Sequence, residues 1–201
     1  MVIKTVLFDL GNVIIPFDFR HAYARLQPLC SFPANEIPQR LRESNLVTRF
    51  ETGRISAERF VREFCATLDV QISYDDFCDI WTSVFLPEPL IEVGLIEQLA
   101  ARYRLMILSN TNPIHFEMIR RHYPLMQHFH HFVLSYEVGA IKPAAAIFEA
   151  AIANARCAAG ECFFTDDLAP NIEAARTHGM DAVQFHSGAQ LKEELKRRRL
   201  L

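Results

Sequence analysis

Asp9, Asp166 and Asp167, together with Ser109, Asn110 and Lys142, are residues whose types and settings could carry chemistry on a phosphoryl group. Asp9 follows the apolar run Val6-Leu7-Phe8 and precedes a Gly11-Asn12 turn, the pattern of a buried strand that delivers one carboxylate to its end. A carboxylate so held can act as a nucleophile and form an aspartyl-phosphate. Asp166 and Asp167 end a second apolar run, Cys162-Phe163-Phe164. Two adjacent acids brought near Asp9 would repel one another unless a cation joined them. Mg²⁺ is the natural choice, a hard ion held by one or two carboxylates plus substrate phosphate. Ser109 and Asn110 end a third run, Leu105-Met106-Ile107-Leu108. There a hydroxyl, an amide and backbone N–H groups at a helix start suit the oxygens of an anion. Lys142 stands in a loop ahead of Pro143, which is expected to start a helix. A cation fixed at that point would balance phosphate charge and orient the attacking carboxylate.

Taken singly, each of these features has a plainer structural reading. Asp favours turns, Ser and Asn cap helices, an Asp-Asp pair can cap the helix containing Asn171, and a lone Lys is usually solvated. Their functional reading depends on elements that bring all of them to one edge. Between Phe17 and about Glu88 the sequence reads as helices only: Ala22 to Leu29, Ala57 to Leu68 behind a Ser56 cap, and Tyr74 to Phe85 behind a Ser73 cap. Beyond Pro87 and Pro89 helices and short apolar strands alternate. Helices are expected over Leu90 to Tyr103, Pro113 to His122, Pro143 to Ala153, Ala169 to His178 and from Gln190 onward. Strands are expected at Leu105 to Leu108, Phe132 to Leu134, Cys162 to Phe164 and Ala182 to Phe185. Such alternation predicts right-handed crossovers and an α/β, Rossmann-like parallel sheet with helices on both faces. In open sheets of this kind ligands lie beyond the carboxyl ends of the strands. The expected organisation is a discontinuous core, residues 1–16 and 89–201, with a helical insertion over 17–88.

The remaining composition narrows the partners. A chain of 201 residues that is 50% hydrophobic can bury a sizeable core. A formal net charge of −3 argues against a broad nucleic-acid face. No apolar stretch is long enough to span a bilayer, and the start lacks the pattern of an export signal, so a cytoplasmic protein without membrane contacts is expected. Five cysteines without paired metal-ligand spacing read as reduced thiols. The histidines at 122, 128, 130 and 131 read as a helix end and loop, and Trp81 and Phe85 as packing within the insertion. Oligomeric state leaves no mark in the sequence.

The order of motifs resembles the haloacid dehalogenase-like (HAD) hydrolase superfamily over nearly the whole chain, most nearly its bacterial glucose-1-phosphatase-like branch. Phe8-Asp9-Leu10-Gly11-Asn12-Val13 is similar to the first motif, Leu108-Ser109-Asn110-Thr111 to the second, Lys142-Pro143 to the third, and Phe164-Thr165-Asp166-Asp167 with Asn171 to the fourth. The insertion, including Phe50-Glu51-Thr52-Gly53-Arg54-Ile55-Ser56, resembles the family's helical cap. The resemblance implies a Mg²⁺-dependent phosphatase acting on a small phosphorylated metabolite, with Asp9, Asp166, Asp167 and the Gly11 carbonyl around the metal. One departure stands out: most phosphatases of the superfamily carry a second Asp two positions after the nucleophile, as general acid and base, and here that position is Gly11. Asp18 is a candidate substitute, although its setting suits an N-cap. Two rival expectations follow. A catalytically impaired domain would bind a phosphorylated ligand or partner without turning it over, and a metal-independent 2-haloacid dehalogenase would share Asp9 but have uncharged residues at 166 and 167.

Overall fold

The computed structural model describes residues 2–201, except the side chain of Ala34. Its centre is a five-stranded sheet, β1 (Thr5–Phe8), β2 (Arg104–Ser109), β3 (His131–Leu134), β4 (Cys162–Asp166) and β5 (Asp181–Gln184), in the order β3-β2-β1-β4-β5. All neighbouring pairs are parallel. Parallel strands buried on both faces need near-continuous apolar sequence, and β1 is buried at every residue. Alternate side chains go to opposite faces. Val6, Phe8, Leu105, Ile107 and Phe163 join one apolar cluster, while Leu7, Met106, Leu108, Cys162 and Phe164 join the other.

Helices α1 (Phe19–Leu26), α2 (Ile37–Glu43), α3 (Leu46–Glu51), α4 (Ala57–Leu68) and α5 (Tyr74–Thr82) follow β1 and share a third apolar cluster, which Ile114 joins from beyond the insertion. At its centre the Trp81 indole, 1% exposed, is surrounded by the rings of Phe19, Phe60, Phe64 and Phe77. Full burial of each large apolar side chain stabilises by about 1.5–3 kcal/mol, so this insertion carries a packed interior. Ser56 and Ser73 cap α4 and α5 as expected, each accepting from the backbone N–H three residues on. Asp18 caps α1 by accepting from Arg20 N–H.

The expectation of helices alone over 17–88 needs one correction. Where the chain leaves the sheet and where it returns, Phe17 and Phe85 form an antiparallel bridge. Asp18 N–H donates to the Val84 carbonyl at 2.8 Å, and Leu86 N–H to the Pro16 carbonyl at 2.9 Å. Two crossings packed side by side bury backbone groups that need partners, and each supplies the other's.

After the return come α6 (Val93–Ala100), α7 (Pro113–His122), the short α8 (Ser135–Val138), α9 (Ala145–Ala155), α10 (Ala169–Thr177) and α11 (Gly188–Arg197). Helix α6 is shorter than the apolar pattern implied. Pro143 does not start α9: it follows a cis peptide bond after Lys142, and the turn closed by Ala144 N–H on the Ile141 carbonyl at 2.9 Å delays the helix to Ala145. Among the described residues no helix is long and apolar enough to cross a membrane.

Candidate active site

Three strand ends converge at the carboxyl edge of the sheet. Asp9 follows β1, Ser109 ends β2 and Asp166 ends β4. Strand β1 lies between the other two, and the chain reverses its direction of travel across the sheet at β1 and β4, the kind of switch point where α/β sheets open a crevice. Asp9 N–H donates to the Thr165 carbonyl at 2.9 Å, so the backbones carrying Asp9 and Asp166 are directly joined.

Lys142 is the centre of the cluster. Its ammonium, 4% exposed as a residue, donates to Asp9 Oδ1 at 2.7 Å, Asp166 Oδ2 at 2.6 Å and the Leu108 carbonyl at 2.8 Å. The three acceptors come from the ends of β1, β4 and β2, so one side chain ties three strands together. Burial pulls the lysine toward its neutral form, but Asp9 and Asp166 outweigh that and hold its pKa above the ordinary range. Burial drives the Asp9 carboxyl well above the usual carboxylate range, with Lys142 opposing and Asp166 adding to the rise.

Asp166 is fully buried and its two oxygens are fixed from several sides. Asn171 Nδ2 lies 2.9 Å from one and 3.0 Å from the other, and Leu168 N–H donates to Oδ1 at 2.9 Å. Asp167, partly buried, is pushed above the ordinary carboxylate range first by burial and then by Asp166. Asp9, Asp166 and Asp167 can each present one oxygen within 4.8 Å of the others. Three carboxylates against a single ammonium leave an excess of negative charge, and an all-oxygen donor set of this kind fits a hard divalent cation. The four histidines at 122, 128, 130 and 131 form no such group among the described residues: His130, for example, accepts the Leu105 N–H at 3.0 Å.

Ser109 and Asn110 are beside this cluster, but the Asn110 amide is already engaged. Its Oδ1 accepts from Lys142 N–H at 2.7 Å and its Nδ2 donates to the Lys142 carbonyl at 3.1 Å. Its side chain therefore acts as a splint for the lysine loop, and the sequence reading of a free amide is corrected to that extent. The next residue is also fixed: Thr111 N–H donates to Ser135 Oγ at 3.0 Å, which donates to the Thr111 carbonyl at the same distance. Sequence patterns gave no sign of that tie or of the Leu108 carbonyl contact, because both join residues remote in the chain.

Gly11 is half-buried, and a Cβ there would lie 2.6 Å from the Phe17 ring. Phe17 packs edge-on against Phe19 and Phe85, with ring centres 5.6 and 6.2 Å away. Asp18, partly exposed, is engaged by Arg20, whose side-chain and backbone hydrogen bonds lower its pKa to about 2. A carboxyl held ionised in this way has no proton to give near neutrality, and Asp18 takes the N-cap role that its sequence setting suited. Glu51 and His115 are the titratable side chains lining the cavity shared by Gly11, Ser109 and Asn110. Glu51 ends α3, in the stretch from Phe50 to Ser56 that the sequence reading placed in the helical insertion without giving Glu51 a role.

Residues 3–179 match the haloacid dehalogenase-like hydrolase family. The chain is 27% identical to a D-ribitol-5-phosphate phosphatase of Bacteroides thetaiotaomicron, over 96% of its own length and 97% of the relative's. A HAD family enzyme of the same organism, solved with magnesium and inorganic phosphate, superimposes with a TM-score of 0.84 at 26% identity, covering 92% of this chain and 96% of that one. A predicted HAD-like hydrolase of Porphyromonas gingivalis gives a TM-score of 0.81 at 25% identity, with 98% of each chain covered.

Proposed function

The chain belongs to the haloacid dehalogenase-like hydrolases, and from that premise we propose that it is a Mg²⁺-dependent phosphomonoester hydrolase acting on a small sugar or polyol phosphate. The observation that carries the reading is the single ammonium of Lys142 among three carboxylates, Asp9, Asp166 and Asp167, at the carboxyl edge of the sheet. The relative that hydrolyses D-ribitol 5-phosphate supports the substrate class, and the neighbour holding magnesium and phosphate supports the cofactor. Residues 1–16 and 89–201 form the catalytic core in this reading, and 17–88 the cap that selects the substrate.

In the reaction the Asp9 carboxylate attacks phosphorus, an aspartyl-phosphate forms, and the bond from phosphorus to the ester oxygen breaks. Water then releases inorganic phosphate and restores Asp9. Lys142 keeps the attacking oxygen oriented and offsets phosphate charge. The Ser109 hydroxyl and the backbone N–H of Asn110 hold phosphate oxygens, positions where donors already aimed at developing charge act most strongly. Asp9, Asp166, Asp167 and the Gly11 carbonyl hold Mg²⁺, which supplies charge neutralisation and a template for the phosphoryl group.

Phosphate release from D-ribitol 5-phosphate and related esters, with Mg²⁺ or with chelator, tests the reading, with Asp9→Asn as the blank. Metal-dependent release that disappears in the variant is the expected result. A second reading, ligand binding without turnover, is favoured by Gly11, which leaves the site without an acid at that position. It predicts Mg²⁺-dependent phosphate binding with no release from any ester. Halide release from a 2-haloacid in the presence of chelator would overturn both in favour of a dehalogenase.

A further inference from the structure

Hydrolysis of an alkyl phosphate creates an alkoxide unless a proton reaches the departing oxygen. Gly11 has no proton to give, and the Phe17 ring occupies the space into which any side chain at position 11 would grow. Asp18 is held as a helix cap and ion-pair partner of Arg20. His115 lines the neighbouring cavity, but both its nitrogens are engaged, Nε2 by the Trp81 carbonyl at 3.0 Å and Nδ1 by the Asn112 amide at 3.1 Å. Glu51 remains. It lines the same cavity, of about 70 Å³, and among the described residues its carboxyl has no hydrogen-bond or ion-pair partner.

Resting on the phosphatase reading, we propose that Glu51, delivered from the helical insertion, is the general acid and base of this enzyme in place of the acid missing at position 11. The Glu51 carboxyl gives its proton to the ester oxygen as the bond from phosphorus to that oxygen breaks, so an alcohol leaves and a carboxylate remains. In the second half that carboxylate takes a proton from the water attacking phosphorus, the bond from phosphorus to Asp9 breaks, phosphate is released and the carboxyl is restored.

Two structural features hold Glu51 in this role. Gly53, at φ +65°, lies so close to α8 that a Cβ would be 2.1 Å from the Tyr136 carbonyl, so the turn after Glu51 is docked directly on the α/β core. Glu51 also ends its helix, where the negative end of the peptide dipoles disfavours a carboxylate. Burial raises its pKa to about 7, which leaves both protonation forms accessible near neutrality, the condition under which general acid–base catalysis is efficient.

The test compares leaving groups. In wild type and Glu51→Gln, kcat/KM is measured for D-ribitol 5-phosphate, whose alkoxide needs a proton, and for 4-nitrophenyl phosphate, whose phenolate leaves without one. This ratio reports the steps up to formation of the aspartyl-phosphate. The expected loss in Glu51→Gln is about 10²- to 10⁴-fold on the alkyl ester, and at least tenfold smaller on the aryl ester. Activity on the aryl ester also demonstrates that the variant is folded, and Glu51→Asp, which keeps a carboxyl one methylene back, recovers part of the alkyl activity. Equal losses on both esters in Glu51→Gln, or none on the alkyl ester, would overturn the assignment. Wild-type protein inactive on both would instead overturn the phosphatase reading and the assignment with it.

Discussion

Asn110 grips the backbone of Lys142 at both of its polar groups, although the two residues are 32 positions apart. The carboxamide accepts the lysine N–H and donates to its carbonyl, so the loop that carries the buried ammonium is fixed by a residue at the end of β2. The ammonium can reach Asp9, Asp166 and the Leu108 carbonyl together only while that loop keeps its height above the sheet. Asn110→Ala removes both bonds and is expected to cost about 1–3 kcal/mol of stability in urea unfolding. A misplacement near 1 Å can cost about 10²-fold in rate, so phosphate release should fall by more than the stability change explains. Asn110→Asp, which keeps the acceptor and loses the donor, should be intermediate in stability.

Gly11 and Phe17 form a steric pair. With only 2.6 Å between the Phe17 ring and the place a Cβ at position 11 would take, Gly11→Ala must push that ring out of its packing against Phe19 and Phe85. Overpacking of this kind costs about 1–3 kcal/mol. Phe17→Leu should relieve much of it, and a double-mutant cycle read by denaturant unfolding should give a coupling of about 0.5–3 kcal/mol. Additive effects would mean that Phe17 does not guard position 11.

Gly53 should tolerate no side chain. Its φ of +65° disfavours L residues, and the Tyr136 carbonyl leaves a Cβ no room. Gly53→Ala is therefore expected to lift the α3 turn from α8 and reduce kcat/KM for the alkyl ester more than for the aryl ester, because Glu51 is carried away from the site while Asp9 is not. A uniform loss on both esters would point to a wider disturbance.

His115 makes stability depend on pH. Its ring, 6% exposed and stacked on Trp81, is held neutral by burial, which lowers its pKa to about 4 even though the bond to the Trp81 carbonyl opposes the shift. The ordinary histidine value is about 6.5. Between these values the unfolded chain binds a proton that the folded protein does not, so stability falls as pH falls through the unfolded value and levels off below the folded one. Between pH 7 and pH 5 this group should remove about 2 kcal/mol. Urea unfolding of wild type and His115→Gln at both pH values checks the sign: the variant should lose less on acidification.

Much of this protein could be read along the chain, wherever local chemistry dictates the outcome. Apolar runs such as Val6-Leu7-Phe8 satisfy strands buried on both faces, and their alternation with helices implies the parallel sheet whose carboxyl edge gathers Asp9, Ser109 and Asp166. Ser56, Ser73 and Asp18 announce helix starts because a side-chain oxygen is needed there and nowhere else nearby. What escaped were relations between distant segments. Nothing near Asn110 in sequence says that its amide will be spent on Lys142 rather than left for a phosphate, and nothing near Pro143 says that α9 waits until Ala145. Glu51 is likewise an ordinary helix-end carboxylate in the sequence. Only docking of the helical insertion against the sheet edge, with Gly53 pressed on the Tyr136 carbonyl, encloses it beside Gly11 and Ser109 and changes its proton affinity. Desolvation depends on which surfaces close around a group, and that is decided by tertiary packing rather than by the order of residues along the chain.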